Sequence, residues 1–197
     1  MQMSTRLILA SQSPRRQALL DQLGLAYTVQ VSPAGESVER GLSPQEVVEH
    51  LARRKATPVA AEHPTALTLA ADTIVALGGE ILNKPRDSDH AAEMLRQLSG
   101  TVHTVYTGIA LQHPASDREA TAVEATDVHM GGLRDDEIER YVASGSPMDK
   151  AGGYGIQDHT GPTLVDRIDG DYYTVVGLPL RRLYLTLRSE FEDLLLV

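Results

Sequence analysis

One segment constrains this chain more than any other: Leu67-Thr68-Leu69-Ala70-Ala71-Asp72-Thr73-Ile74-Val75-Ala76-Leu77. It is almost continuously apolar and carries a single carboxylate near its middle. Such a run, closed by Gly78-Gly79, predicts a long strand turning into a hairpin with Glu80-Ile81-Leu82. A carboxylate in apolar surroundings is costly unless it is paired or binds a metal, and aspartate is a poor strand former. Asp72 therefore needs compensation. As a functional group it is a metal ligand or a general base for water. As a structural group it bonds to backbone amides or to an arginine. Ionisable groups in apolar settings are commonly functional, which favours the first reading. Thr73 points to the opposite face of a regular strand and reaches a ligand only at a strand end or bulge.

The remaining pattern alternates helices and strands. Leu7 to Ala10 reads as a short buried strand, broken by Ser11-Gln12-Ser13. Pro14 suits the first helical position with Ser13 as N-cap, and the helix carries Leu19, Leu20 and Leu23 before Gly24. Tyr27 to Val31 is a second strand. Ser43-Pro44-Gln45-Glu46 is a capping box opening a helix that runs through Lys55. Further helices are expected over Ser88 to Leu98, over Arg134 to Ser144 and from Pro179. Thr101 to Leu111 and Ala120 to Met130 are paired strands. Thr163 to Ile168 and Tyr172 to Val176 read as a hairpin around Asp169-Gly170. The expected class is α/β: a mixed, partly antiparallel twisted sheet flanked by helices, with two lobes and a central cleft suiting the mixture. Residues 1–197 are expected to form a single domain.

Charge and composition remove several functions. The formal net charge of −9 opposes nucleic-acid binding, and Arg15-Arg16, Arg53-Arg54-Lys55 and Arg181-Arg182 are too short and scattered to make a basic stripe. With no cysteine there is no disulfide, thiolate chemistry or thiol-rich zinc site. The longest apolar run near the N-terminus, Leu7 to Ala10, is too short for a signal or a membrane span, so the expected location is the cytoplasm, with no membrane partner.

The residues that carry chemistry lie in separate stretches. In Ser11-Gln12-Ser13-Pro14-Arg15-Arg16 a strand passes through a turn into a helix N-terminus, where free N–H groups favour an anion. Two arginines in that first turn oppose the helix dipole unless an anion such as phosphate sits among them, or unless both point into solvent. Lys55 falls on the apolar face of its helix, four residues after Leu51, and either snorkels or enters a cleft. Lys84, before Pro85, is weak by itself. Asp149 to Gln157 reads as a flexible glycine-rich loop whose backbone approaches a ligand closely, with Gln157 able to read a base edge. Glu36, Asp72 and Glu80 are candidate oxygen ligands for Mg²⁺ or Mn²⁺. There is no P-loop signature, nucleophile elbow or zinc-spaced histidine pair.

Taken together, Leu9-Ala10-Ser11-Gln12-Ser13-Pro14-Arg15-Arg16, Ala71-Asp72-Thr73, Lys84-Pro85-Arg86-Asp87, Met148 to Gln157 and Gly177-Leu178-Pro179 resemble the Maf family of nucleoside triphosphate pyrophosphatases from Leu7 to Leu180. The resemblance implies a fold related to inosine triphosphate pyrophosphatases, a divalent metal, a nucleoside triphosphate substrate and, often, a homodimer. By position, Asp72 matches the family's proton acceptor. Arg15, Thr73 and Gln157 match positions that set base selectivity, and Ser11, Arg16, Lys55 and Lys84 match polar positions of the nucleotide and phosphate site. Ala71-Asp72-Thr73 and Gly155-Ile156-Gln157 resemble the branch acting on dTTP and UTP. Where the family commonly has adjacent acids this chain has Gly35-Glu36, leaving Glu36 as the metal candidate there. The alternatives are a nucleotide-binding regulator of septum formation without essential turnover, and a pyrophosphatase selective for 7-methyl-GTP.

Overall fold

The computed structural model of the chain describes residues 2–35, 37 and 41–196. The elements in chain order are β1 (Gln2–Met3), β2 (Leu7–Leu9), α1 (Pro14–Gln22), β3 (Tyr27–Val29), α2 (Pro44–Glu62), β4 (Leu67–Leu77) and β5 (Glu80–Leu82). They continue with α3 (Ser88–Leu98), β6 (Val102–His113), β7 (Arg118–Met130), α4 (Asp135–Ala143), β8 (Val165–Asp169), α5 (Tyr172–Val176), α6 (Leu180–Glu190) and β9 (Leu195–Leu196). The hydrogen-bonded strand order is β3-β2-β4-β6-β7-β8, with β5 on β4, and β1 pairs separately with β9. β2 is parallel to β3 and β4, whereas β5 is antiparallel to β4 and β8 to β7. The protein is thus α/β with a mixed sheet. It divides into two compact units, one holding residues up to Asp72, Thr107–Glu124 and the chain from Gly177 onward, the other Thr73–Tyr106 and Ala125–Val176.

In the first unit, Leu7, Ile8 and Leu9 are all buried because β2 lies between two parallel neighbours. Helix α2 opens with the expected capping box, in which Glu46 N–H donates to Ser43 Oγ and Ser43 N–H to the Glu46 carboxylate. Its buried stripe, Val47, Val48, Leu51, Ala52, Ala56, Val59 and Ala60, follows the helical period. The helix extends beyond Lys55 and through Pro58 to Glu62. Pro58 removes one backbone bond, but Val59 and Ala60 are buried and keep the last turn in place. Small residues let α2 lie close to the strands: Ala10, Ala52, Ala56, Ala66, Ala70 and Ala110 pack with Ile8 and Val59. Gly108 belongs to the same logic, since a Cβ there would stand 2.5 Å from the Val48 carbonyl oxygen. Toward the C-terminus, Leu180, Leu183 and Leu187 form the buried apolar face of α6, and Phe191, its C-cap, is buried after it.

The second unit is built on Val75, Leu82, Met94, Leu95, Leu98, Val105, Val128, Met130, Ile138 and Tyr141, with Tyr154 and Leu164. One expectation fails here. Tyr172 to Val176 is the helix α5, not the second strand of a hairpin, and β8 pairs with β7. Asp171 supplies the reason: its Oδ2 accepts from Thr174 N–H and Thr174 Oγ1, both at 2.8 Å, in the manner of a helix N-cap. Asp171 N–H in turn donates to Thr126 Oγ1 at 2.9 Å. The local cap and this distant bond together outweigh the strand propensity of Tyr-Tyr-Thr-Val-Val.

Candidate active site

On strand β4, Asp72 is the last residue of the first unit's opening segment. The strand is buried nearly throughout, and Asp72 is 7% exposed. The compensation its carboxylate needs comes from Lys55, whose ammonium donates to Asp72 Oδ1. Sequence reasoning anticipated an arginine or backbone amides in that structural role. The partner is a lysine because α2 turns its apolar face, and Lys55 with it, onto the strands. Lys55 therefore does not snorkel to solvent. A carboxylate offers about four lone-pair sites, and the ammonium occupies one.

The turn after β2 is organised around Ser11. The Leu9↔Leu69 register and the bond from Ala10 N–H to Leu69 O at 2.7 Å carry Ser11 past the end of β2, alongside the stretch of β4 that leads to Asp72. Ligand sites in open α/β sheets lie beyond the carboxyl ends of parallel strands. Ser11 Oγ accepts from Ser13 N–H at 3.2 Å and from Arg16 Nη1 at 3.1 Å, so its own O–H remains to donate. Ser13 occupies the N-cap position of α1 but its side chain makes no capping bond. Arg16 is not a solvent-directed arginine: its Nε donates to Gly177 O at 2.9 Å. The Gly177-Leu178-Pro179 segment thus fixes a guanidinium over the turn. Arg15, in the same first turn of α1, is half-buried.

The second unit holds the other candidates. Thr73 is half-buried on β4, and Lys84 and Gln157 are exposed. Gly152 N–H donates to Asn83 O at 3.2 Å, which ties the glycine-rich loop to the segment carrying Lys84. That loop carries a buried polar network of its own. Lys150, 8% exposed, donates to Ser146 O at 2.6 Å and Asp149 Oδ1 at 2.7 Å and lies 3.3 Å from Asp158 Oδ2. Tyr141 donates to the same Oδ2, as does Ser146 Oγ at 2.8 Å. Burial, then Asp158, pushes the Tyr141 hydroxyl well above the usual phenol range. Sequence reasoning missed Lys150, Tyr141 and Asp158 as a group. The only available signal was a lysine set among Ala151, Gly152 and Gly153, too small to shield it. It also missed His103, whose Nε2 pairs with the Tyr154 hydroxyl at 2.6 Å.

Glu36 lies outside the described residues. Among the described residues no three His, Asp or Glu side chains gather into a metal cage. The buried Asp72 carboxylate, with lone pairs left beside its bond to Lys55, would suit an ion of the Mg²⁺ type, which takes one or two carboxylates and completes its shell with water and phosphate oxygens. Glu80 is exposed on β5, in the second unit. No described helix is long and apolar enough to cross a membrane.

The chain is 64% identical over 195 residues to the dTTP/UTP pyrophosphatase of Salinibacter ruber, covering 99% of this chain and 96% of that protein. It is 48% identical over 180 residues to the dTTP/UTP pyrophosphatase of Bacillus velezensis, covering 91% and 94%. Among solved structures it aligns with a nucleoside-triphosphatase (dITP/XTP pyrophosphatase) of Mycobacterium abscessus at 15% identity and a TM-score of 0.46, covering 93% and 94%. It also aligns with a HAM1 protein of Coxiella burnetii at 17% identity and a TM-score of 0.48, covering 93% and 98%. The family model described as Maf-like protein matches residues 6–190, and the chain belongs to that family.

Proposed function

We propose that this protein hydrolyses dTTP and UTP to the nucleoside monophosphate and pyrophosphate. The observation that carries the reading is the Lys55–Asp72 pair, buried at the strand position from which β4 leaves the first unit, with Ser11 and Arg16 fixed at the adjoining strand end. The names borne by the relatives from Salinibacter ruber and Bacillus velezensis supply the substrate class.

In this reading Asp72 accepts the proton of the attacking water as its oxygen bonds to the α-phosphorus, and the bond to the bridging oxygen of pyrophosphate breaks. Lys55 holds the carboxylate in one orientation and balances its charge. Arg16, its fork directed by Gly177, and Arg15 donate to phosphate oxygens, with Lys84 as a further point charge. Ser11 contributes its remaining O–H to the same anion. Thr73 and Gln157, with Arg15, select the pyrimidine base. Asp72 and Glu36 would hold a divalent cation, Mg²⁺ or Mn²⁺, which would supply charge neutralisation and a more acidic water. The reading further takes residues 1–197 as one functional domain, working in the cytoplasm as a homodimer.

The test is a panel of triphosphates at equal concentration, with and without Mg²⁺ or Mn²⁺, read as pyrophosphate release. The expected result is metal-dependent turnover of dTTP and UTP well above ITP and 7-methyl-GTP. Preference for 7-methyl-GTP, or binding without turnover, overturns the reading.

A further inference from the structure

The loop that carries Gln157 is pinned at both ends by one buried polar network. On one side, Gly155 N–H donates to the Tyr141 hydroxyl at 2.9 Å. On the other, Asp158 N–H donates to Gly155 O at 3.1 Å, closing a tight turn over Ile156 and Gln157. Both anchors lead to Asp158: the second is its own N–H, and its carboxylate takes the Tyr141 hydroxyl of the first, with the Ser146 hydroxyl and the Lys150 ammonium, on one oxygen. The side chains of Lys150 and Asp158 are only 9% and 14% exposed. A glycine is required at the first anchor: a Cβ on Gly155 would stand 2.6 Å from Lys150 Cε and 2.9 Å from Asp158 Oδ1. Gln157 itself is exposed, so its backbone is fixed while its amide is presented outward.

We propose that Asp158 is a positioning residue for base selection, holding the Gly155–Gln157 turn so that the Gln157 amide is offered in one orientation. This rests on the reading of Gln157 as a base-selecting residue. Burying an ammonium and a carboxylate costs free energy unless every lone pair and proton is used. Here the partners of Asp158 Oδ2 are Tyr141 of α4, Ser146 and Lys150, so the carboxylate ties the turn to the core of the second unit. A residue acting through geometry affects the correct base more than the wrong one, because only the correct base uses the oriented amide.

The experiment compares wild type, Asp158→Ala, Asp158→Asn and Gln157→Ala with UTP and ITP, alongside thermal melts. Loss of one oriented hydrogen bond predicts that Asp158→Ala lowers the UTP-to-ITP ratio of kcat/KM by about tenfold, mainly through the KM for UTP. Asp158→Asn, which keeps an acceptor for Tyr141 and Ser146, recovers most of that ratio. A lower melting temperature with the ratio unchanged, while Gln157→Ala still lowers it, overturns the positioning role and leaves Gln157 as base reader. An unchanged ratio in Gln157→Ala overturns both. Should Asp158→Ala not fold, Tyr141→Phe removes the acceptor for Gly155 N–H and the donor to Asp158. It must give the same drop, and an unchanged ratio there overturns the proposal.

Discussion

The character of Asp72 comes from the charge beside it more than from its burial. A lone carboxylate on a buried strand is costly, whereas one bonded to an ammonium is neutralised as a pair and still has lone pairs to offer. Removing one partner strands the other. Lys55→Met should therefore destabilise the protein by about 3 kcal/mol, and adding Asp72→Leu should restore most of it, as read by urea unfolding. A neutral effect of Lys55→Met would mean that the pair is solvated. The need for compensation at Asp72 was legible in the sequence, because an acid amid Leu, Ala, Ile and Val has no cheap alternative. That the compensating group is Lys55 was not, since the pairing depends on the pose of a helix against a strand 17 residues away in sequence. Lys150 and Asp158 were illegible for the same reason: three-dimensional packing, and not spacing, buries them.

Among the elements, those defined by period and caps were legible. The α2 capping box, the Gly78-Gly79 turn between β4 and β5 and the start of α6 at Pro179 each follow from local chemistry. Helix α5 did not, because Asp171 and the distant Thr126 outweigh strand propensity, and only the first of these is local. The seam between α2 and β6 depends on a missing side chain. Gly108→Ala places a Cβ 2.5 Å from the Val48 carbonyl oxygen and 3.0 Å from Glu49 N, so backbone must move. The expected cost is about 1–3 kcal/mol, seen as a lower urea midpoint. The same substitution at Gly132, where a Cβ meets nothing within 4 Å, should be far milder. Equal effects at the two sites would contradict close packing of α2 on β6.

For the whole molecule, stability should depend on pH through His103. Its ring is 1% exposed and pairs with the Tyr154 hydroxyl, and burial pushes it from its ordinary 6.5 down to about 4. The unfolded chain binds a proton as pH falls through 6.5 and the folded chain only near 4. Stability is thus lost as pH drops across that window, by roughly 3 kcal/mol. His103→Gln should flatten the dependence of the melting temperature between those values, and an unchanged slope would assign it elsewhere. The α/β class and the family were legible because ordered motifs span most of the chain, whereas the division into two units was not marked by any linker. In the proposed hydrolysis Asp72 takes the proton of the attacking water as pyrophosphate leaves. The most direct measurement is UMP and pyrophosphate formation from UTP by wild type and Asp72→Asn, with circular dichroism to match their folds. Wild type should give the two products in equal amounts, and the variant a rate about 10²–10⁴-fold lower. A folded Asp72→Asn protein that releases pyrophosphate at the wild-type rate would contradict it.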